Sequence, residues 1–304
     1  MDIEDVVAAG GNQRVFRAKY KINQPGFISH ITQRAAGKEP LFLEKGDYLH
    51  FLALLKESAS RFELAYYAFC LMPNHVHLLV EPHKPNLATG MHSIFFRYAA
   101  YFNRKYQRRG HLFGGRYRQA LCLAPDYLLT ASVYIHLNPV RAGLTKTATD
   151  YQWSSVALYC GQPEQNSFLT PERILTLVAA DPDEARLSYA RLLSQGRADA
   201  PENAQEQPGV IEKFCDRLGA RFPKLFGRLQ SKQAPSHDTS MPMAGSPSLE
   251  QLLSQFPTGS ARRPETRQAK KYVLEQLEAR GFPRKEIAER LSISPKTVYN
   301  LLRS

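Results

Sequence analysis

His75 and His77 open the run His75-Val76-His77-Leu78-Leu79-Val80-Glu81, directly after Pro73-Asn74 interrupts an apolar stretch. That pattern predicts a strand, a tight turn and a second strand. Side chains alternate at period two, so both imidazoles leave one face of the sheet, while Val76, Leu78 and Val80 leave the other. Two neutral imidazoles on one rigid strand suit a divalent cation and demand a further ligand from elsewhere. The same triplet also reads as polar residues of a half-buried strand.

A second set of reactive groups lies on a helix predicted to open at Ala124-Pro125-Asp126, with Pro in its first turn. Leu129, Val133, Leu137 and Val140 fall within about 80° of arc and form the buried stripe. Tyr127, Tyr134, Asn138 and Arg141 cluster opposite, and Tyr134 and Asn138 are one turn apart. Pro139 disfavours a helical Asn138, so the helix is expected to end or kink there, which would let Asn138 present its carbonyl oxygen as the missing ligand. Tyrosine is a weak nucleophile at its ordinary pKa of about 10, and a nearby cation or base would activate it. With 15 tyrosines in the chain, Tyr127 on the same face is the second candidate. His136 points nearly opposite Tyr134 and reads as packing.

The elements that must position these groups follow from periodicity. Strands are expected at 26–32, 64–72, from His75, and at 117–123; helices are expected at 45–62, 86–106 and from Pro125. Charge adds a partner. The 304 residues carry 40 Lys and Arg against 28 Asp and Glu, a net charge of +12, which favours a polyanion such as nucleic acid. Arg97, Arg104, Lys105, Arg108, Arg109, Arg116 and Arg118 are interleaved with Tyr98, Tyr101, Phe102, Tyr106, Phe113 and Tyr117, a mixture suited to phosphate contact and base stacking on a single strand. A solvated basic helix end explains the first four charges equally well. Gly110, Gly114 and Gly115 would permit close approach of a ligand. Cys70, Cys122, Cys160 and Cys215 are scattered, without a zinc or disulfide spacing. No apolar run is long enough to span a bilayer and no signal peptide opens the chain, so a cytoplasmic protein is expected.

The run Met72-Pro73-Asn74-His75-Val76-His77, with Tyr134-Ile135-His136-Leu137-Asn138-Pro139-Val140-Arg141-Ala142-Gly143, resembles the single-tyrosine HUH transposases of insertion sequences, and within them the REP-associated tyrosine transposases. Lesser echoes are Gly110-His111-Leu112-Phe113-Gly114-Gly115-Arg116-Tyr117 and Trp153-Ser154-Ser155. The resemblance implies an α+β, ferredoxin-like antiparallel sheet with helices over residues 14–160. It further implies that His75 and His77 bind Mg²⁺ or Mn²⁺, that Tyr134 is the nucleophile forming a 5′-phosphotyrosine, and that Asn138 is the third ligand. Mobile-element members more often carry Gln at that place, so Asn138 points to the REP-associated branch. Single-stranded hairpin DNA is the implied substrate, cut and rejoined by a monomer or homodimer.

Beyond it, residues 161–230 read as a helical extension without assignable chemistry, and 231–248 as a flexible linker. Residues 249–304 resemble a helix-turn-helix DNA-binding module that would carry Lys296, Thr297, Tyr299 and Asn300 to duplex DNA. Ser292 stands there where such turns usually have glycine, and Ser294-Pro295 opens the last helix. Between Arg262 and Arg303, 11 basic residues stand against 5 acidic ones. Two functions remain open: a metal-dependent single-strand endonuclease and strand transferase, or a DNA-binding regulator whose catalytic site is vestigial.

Overall fold

The structure, a computed structural model, describes residues 15–16, 21–37, 39–161, 167–197, 209–231, 256, 270–271, 273–274, 277 and 284–303. The linker expected at 231–248 lies outside them apart from Ser231, as does most of 249–283 in the segment expected to hold the helix-turn-helix.

Five strands form one sheet: β1 (Val15–Phe16), β2 (Ser29–Arg34), β3 (Leu64–Met72), β4 (His75–Pro82) and β5 (Arg118–Leu121), in the order β1-β5-β2-β4-β3. Every pairing is antiparallel. Helix α1 (Lys45–Arg61) joins β2 to β3, and α2 (Leu87–Lys105) joins β4 to β5. The resulting βαββαβ path, with order β5-β2-β4-β3, is the α+β ferredoxin-like arrangement that the resemblance implied. β3 and β4 meet at Pro73-Asn74, and the strand boundaries at Met72 and His75 coincide with those expected.

Alternation along β4 separates two cores. Val76, Leu78 and Val80 pack with Phe51 and Leu55 of α1 and with Met91, Ile94 and Tyr98 of α2. The opposite face, including Leu79, packs under α3 (Pro125–Arg141). That second core runs on without a break into α5 (Glu172–Val178), α6 (Pro182–Gly196), α7 (Val210–Arg221) and α8 (Pro223–Ser231), burying Ile174, Tyr189, Phe214 and Phe226. The extension therefore shares its core with the sheet. Between them, α4 (Val156–Cys160) follows Trp153-Ser154-Ser155. Backbone bonds Leu71 N–Trp153 O and Ser155 N–Phe69 O cover the outer side of β3, which would otherwise be a bare sheet edge.

One expectation is corrected. α3 does not stop at Asn138 but continues through Pro139 to Arg141. Pro139 removes a single backbone donor close to the helix end, and the amide of Ala142 still reaches Asn138 O at 2.9 Å. Every residue from Asp126 to Pro139 is buried, so packing on all sides holds the last turn.

At the C-terminus, α9 (Arg284–Arg290) and α10 (Pro295–Arg303) are joined by a short turn. Ile287, Ala288, Val298 and Leu301 are buried with Val273, Leu274 and Leu277. Ser294 caps α10, its Oγ accepting from Thr297 N at 3.0 Å. Ser292 adopts φ 52°, the left-handed conformation that explains why glycine is usual at this turn.

Candidate active site

His75 and His77 project from β4 toward α3, and the ring of Tyr134 stands 6.1 Å from that of His77, edge to face. The strand, its turn and the helix thus bring three predicted residues together. His75 Nδ1 lies 2.7 Å from Asn74 Oδ1, so the turn residue orients the ring. His77 Nδ1 lies 2.9 Å from His30 Nε2, one nitrogen donating and the other accepting, and the two rings stack at 5.1 Å. Thr32, directly across the ladder from His77, adds an oxygen at 3.5 Å.

Burial holds all these imidazoles neutral. It lowers the pKa of His30 to about 4, and that of His75 to about 4 with help from the Arg34 and Arg141 guanidinia. His77 falls well below the ordinary value through burial first, then through His75, His30, Arg34 and Arg141. Neutral imidazoles with Nδ1 engaged by a neighbour are the form in which histidine ligates a metal. The donors present therefore fit a divalent cation, although among the described residues no cluster of three His, Cys, Asp or Glu side chains could hold one.

Asn138 stays within the helix. Its Nδ2 donates to Tyr134 O at 3.0 Å, and its Oδ1 accepts from Arg141 Nη1 at 3.3 Å. Arg141 also places its guanidinium 4.4 Å from the centre of the Tyr134 ring. Tyr127 is buried, and burial raises its phenol well above pKa 10. His136 is a packing residue, bonded at 2.8 Å to both Tyr189 Oη and Ser155 Oγ.

The basic segment is less uniform than its composition suggests. Arg97 makes a two-pronged contact with Glu57, Lys105 bridges Glu44 and Asp47, and Arg108 pairs with Glu39. Arg104, Arg109, Arg116 and Arg118 are exposed. Tyr98, Phe102 and Tyr117 point into the core beneath them. Gly114 approaches the chain's own backbone: a Cβ there would stand 3.0 Å from Ala35 O. Lys296 and Asn300 are exposed on α10, with Thr297 half-buried.

Sequence reasoning missed His30 and Arg34. Their signal was present in the first strand, where His30 and Thr32 alternate onto one face, but only the register Thr32–His77 and Arg34–His75 reveals that this face is shared.

Residues 24–138 match the family model described as Transposase IS200 like. A search of curated proteins gave no match. A solved structure of a REP-associated tyrosine transposase bound to a REP hairpin is similar at 17% identity, with a TM-score of 0.38, over 46% of this chain and 81% of that one. The matched segment, 24–138, runs from just before β2 to Asn138 and so is similar to that family over the stretch that carries His75, His77, Tyr134 and Asn138.

Proposed function

We propose that the protein is a metal-dependent single-strand DNA endonuclease and strand transferase of the transposase type, acting beside hairpin or palindromic repeat DNA in the cytoplasm. The observation that carries this reading is the placement of the His77 ring between its partners, 4.9 Å from that of His75 and 6.1 Å from that of Tyr134, with Asn138 one helical turn further. His75, His77 and Asn138 would hold Mg²⁺ or Mn²⁺, which when bound supplies Lewis-acid polarisation of a phosphate oxygen. The phenol oxygen of Tyr134 attacks phosphorus and gives up its proton. The bond to the 3′ oxygen breaks, and that oxygen leaves with its electron pair and is protonated as a 3′-hydroxyl. The phosphate stays on Tyr134 as a 5′-phosphotyrosine, whose ester energy permits joining to another 3′-hydroxyl without ATP. Domains follow the same division: 14–160 catalytic, 161–230 extension, 231–248 linker, and 249–304 a helix-turn-helix for duplex DNA through Lys296, Thr297 and Asn300. Arg104, Arg109, Arg116 and Arg118 supply further backbone contacts; Arg97, Lys105 and Arg108 contribute after exchanging their carboxylate partners for phosphate.

One observation favours the second reading, a DNA-binding regulator. Tyr134 is 1% exposed, His77 0% and Asn138 5%, and the ring of Phe214 from α7 lies 6.4 Å from that of Tyr134. A scissile strand reaches the phenol only when this cover moves. Incubation of the full-length protein with Mg²⁺ or Mn²⁺ and labelled single-stranded hairpin DNA separates the two on a denaturing gel. The nuclease reading expects a covalent adduct that survives Tyr127→Phe and vanishes in Tyr134→Phe. Binding without an adduct establishes the regulator, and an adduct retained in Tyr134→Phe refutes the choice of nucleophile.

A further inference from the structure

Two arginines meet at the His75–His77 pair from different elements. Arg34 ends β2 and lies directly across the ladder from His75. Arg141 ends α3, with its guanidinium over the Tyr134 ring and one nitrogen on Asn138 Oδ1. Both are half-buried, and both charges are felt at both imidazoles. Two guanidinium groups beside a neutral dihistidine, an amide and a phenol give this corner a positive charge suited to a tetrahedral phosphate. Guanidinium presents paired donors that match phosphate oxygens, and its charge counts for more in a partly desolvated site than on the surface.

We propose that Arg34 and Arg141 form a two-pronged clamp that seats the scissile phosphate between the histidine pair and Tyr134. The clamp rests on the nuclease reading for the identity of the phosphate as scissile. Arg34 would take one non-bridging oxygen from the β2 side and Arg141 the other from the helix side, leaving phosphorus facing the phenol. Arg141, stacked on the ring, is also placed to stabilise the phenolate as its proton leaves. The positions fit this division of labour because one arginine is fixed by strand register and the other by helix phase, so the gap between them is set by the packing of α3 on the sheet.

The test uses the full-length protein carrying Tyr134→Phe, with EDTA present so that no metal contributes. The probe is a fluorescent hairpin oligonucleotide with single-stranded flanks, chosen from a random-flank pool by binding. Single neutral methylphosphonates are scanned along the flank. The clamp expects one linkage at which neutralisation weakens binding at least about tenfold, and at which Arg141→Gln or Arg34→Gln reduces that penalty to under about threefold, because the charge partner is gone. Arg116→Gln serves as the control, lowering affinity for all probes alike. Arg141→Lys, which keeps the charge but not the fork, should retain part of the penalty. Thermal melts establish that each variant is folded.

A penalty at every linkage that is unchanged in folded Arg141→Gln and Arg34→Gln overturns the clamp. The outcome is separable from the nuclease test. Coupling at one linkage without any adduct in the Tyr134 protein leaves a phosphate clamp in a non-cleaving DNA binder, while an adduct without coupling leaves the nuclease and removes the clamp.

Discussion

Replacing Asp47 with Asn removes a buried carboxylate on which five donors converge. Leu43 N, Glu44 N and Tyr106 Oη reach Oδ2 at 2.9, 3.1 and 2.7 Å, and Tyr101 Oη and Lys105 Nζ reach Oδ1 at 3.0 and 2.6 Å. Burial by itself raises the pKa of this group, but the bonds from Lys105, Leu43, Tyr106 and Glu44 together outweigh it and bring the value to about 2, from 3.8. At ~1.4 kcal/mol per pH unit, that difference corresponds to about 2.5 kcal/mol of folding free energy. Because the folded value lies below the unfolded one, this contribution is complete above pH 3.8 and is lost as the pH falls toward 2. Urea denaturation of wild type and Asp47→Asn should therefore differ by at least about 2.5 kcal/mol at pH 7, with melting lowered by roughly 5–10 °C. The gap should narrow by about that amount between pH 5 and pH 2. The consequence reaches the active site, since the same corner fixes Leu41, whose amide bonds Pro73 O at 2.6 Å beside the Asn74 that orients His75. A gap below about 1 kcal/mol at pH 7, or one constant across this range, refutes the reasoning.

Ser292→Gly should relieve the left-handed conformation at the C-terminal turn and stabilise that cluster by about 0.5–1 kcal/mol. Hydrogen exchange at Val298 and Leu301 should slow about two- to fivefold, and faster exchange would count against the turn assignment. Gly114→Ala forces a methyl against Ala35 O and should cost about 1–3 kcal/mol in chemical denaturation, with a loss of under 0.5 kcal/mol contradicting the close approach. Truncation after Ser248 should weaken duplex binding and flatten its salt dependence, while cleavage of short single strands persists. Unchanged duplex affinity would discard the helix-turn-helix proposal.

Local pattern determined much of this protein. Period-two alternation after Pro73-Asn74 set the strand carrying His75 and His77 and the face they share, and period-3.6 spacing set α1, α2 and the start of α3. Both signals are written in neighbouring residues. The end of α3 was not legible, because Pro139 is a local rule against helix and burial on every side is a property of the fold. Nor could composition show that Arg97, Lys105 and Arg108 face carboxylates 40 to 69 residues away. His30 and Arg34 entered the site only through strand register, and Phe214 closed over Tyr134 only through packing of the extension on α3. The sequence decides which side chains share a face of their own element; which faces meet is decided by long-range contacts, and the site is made where they do.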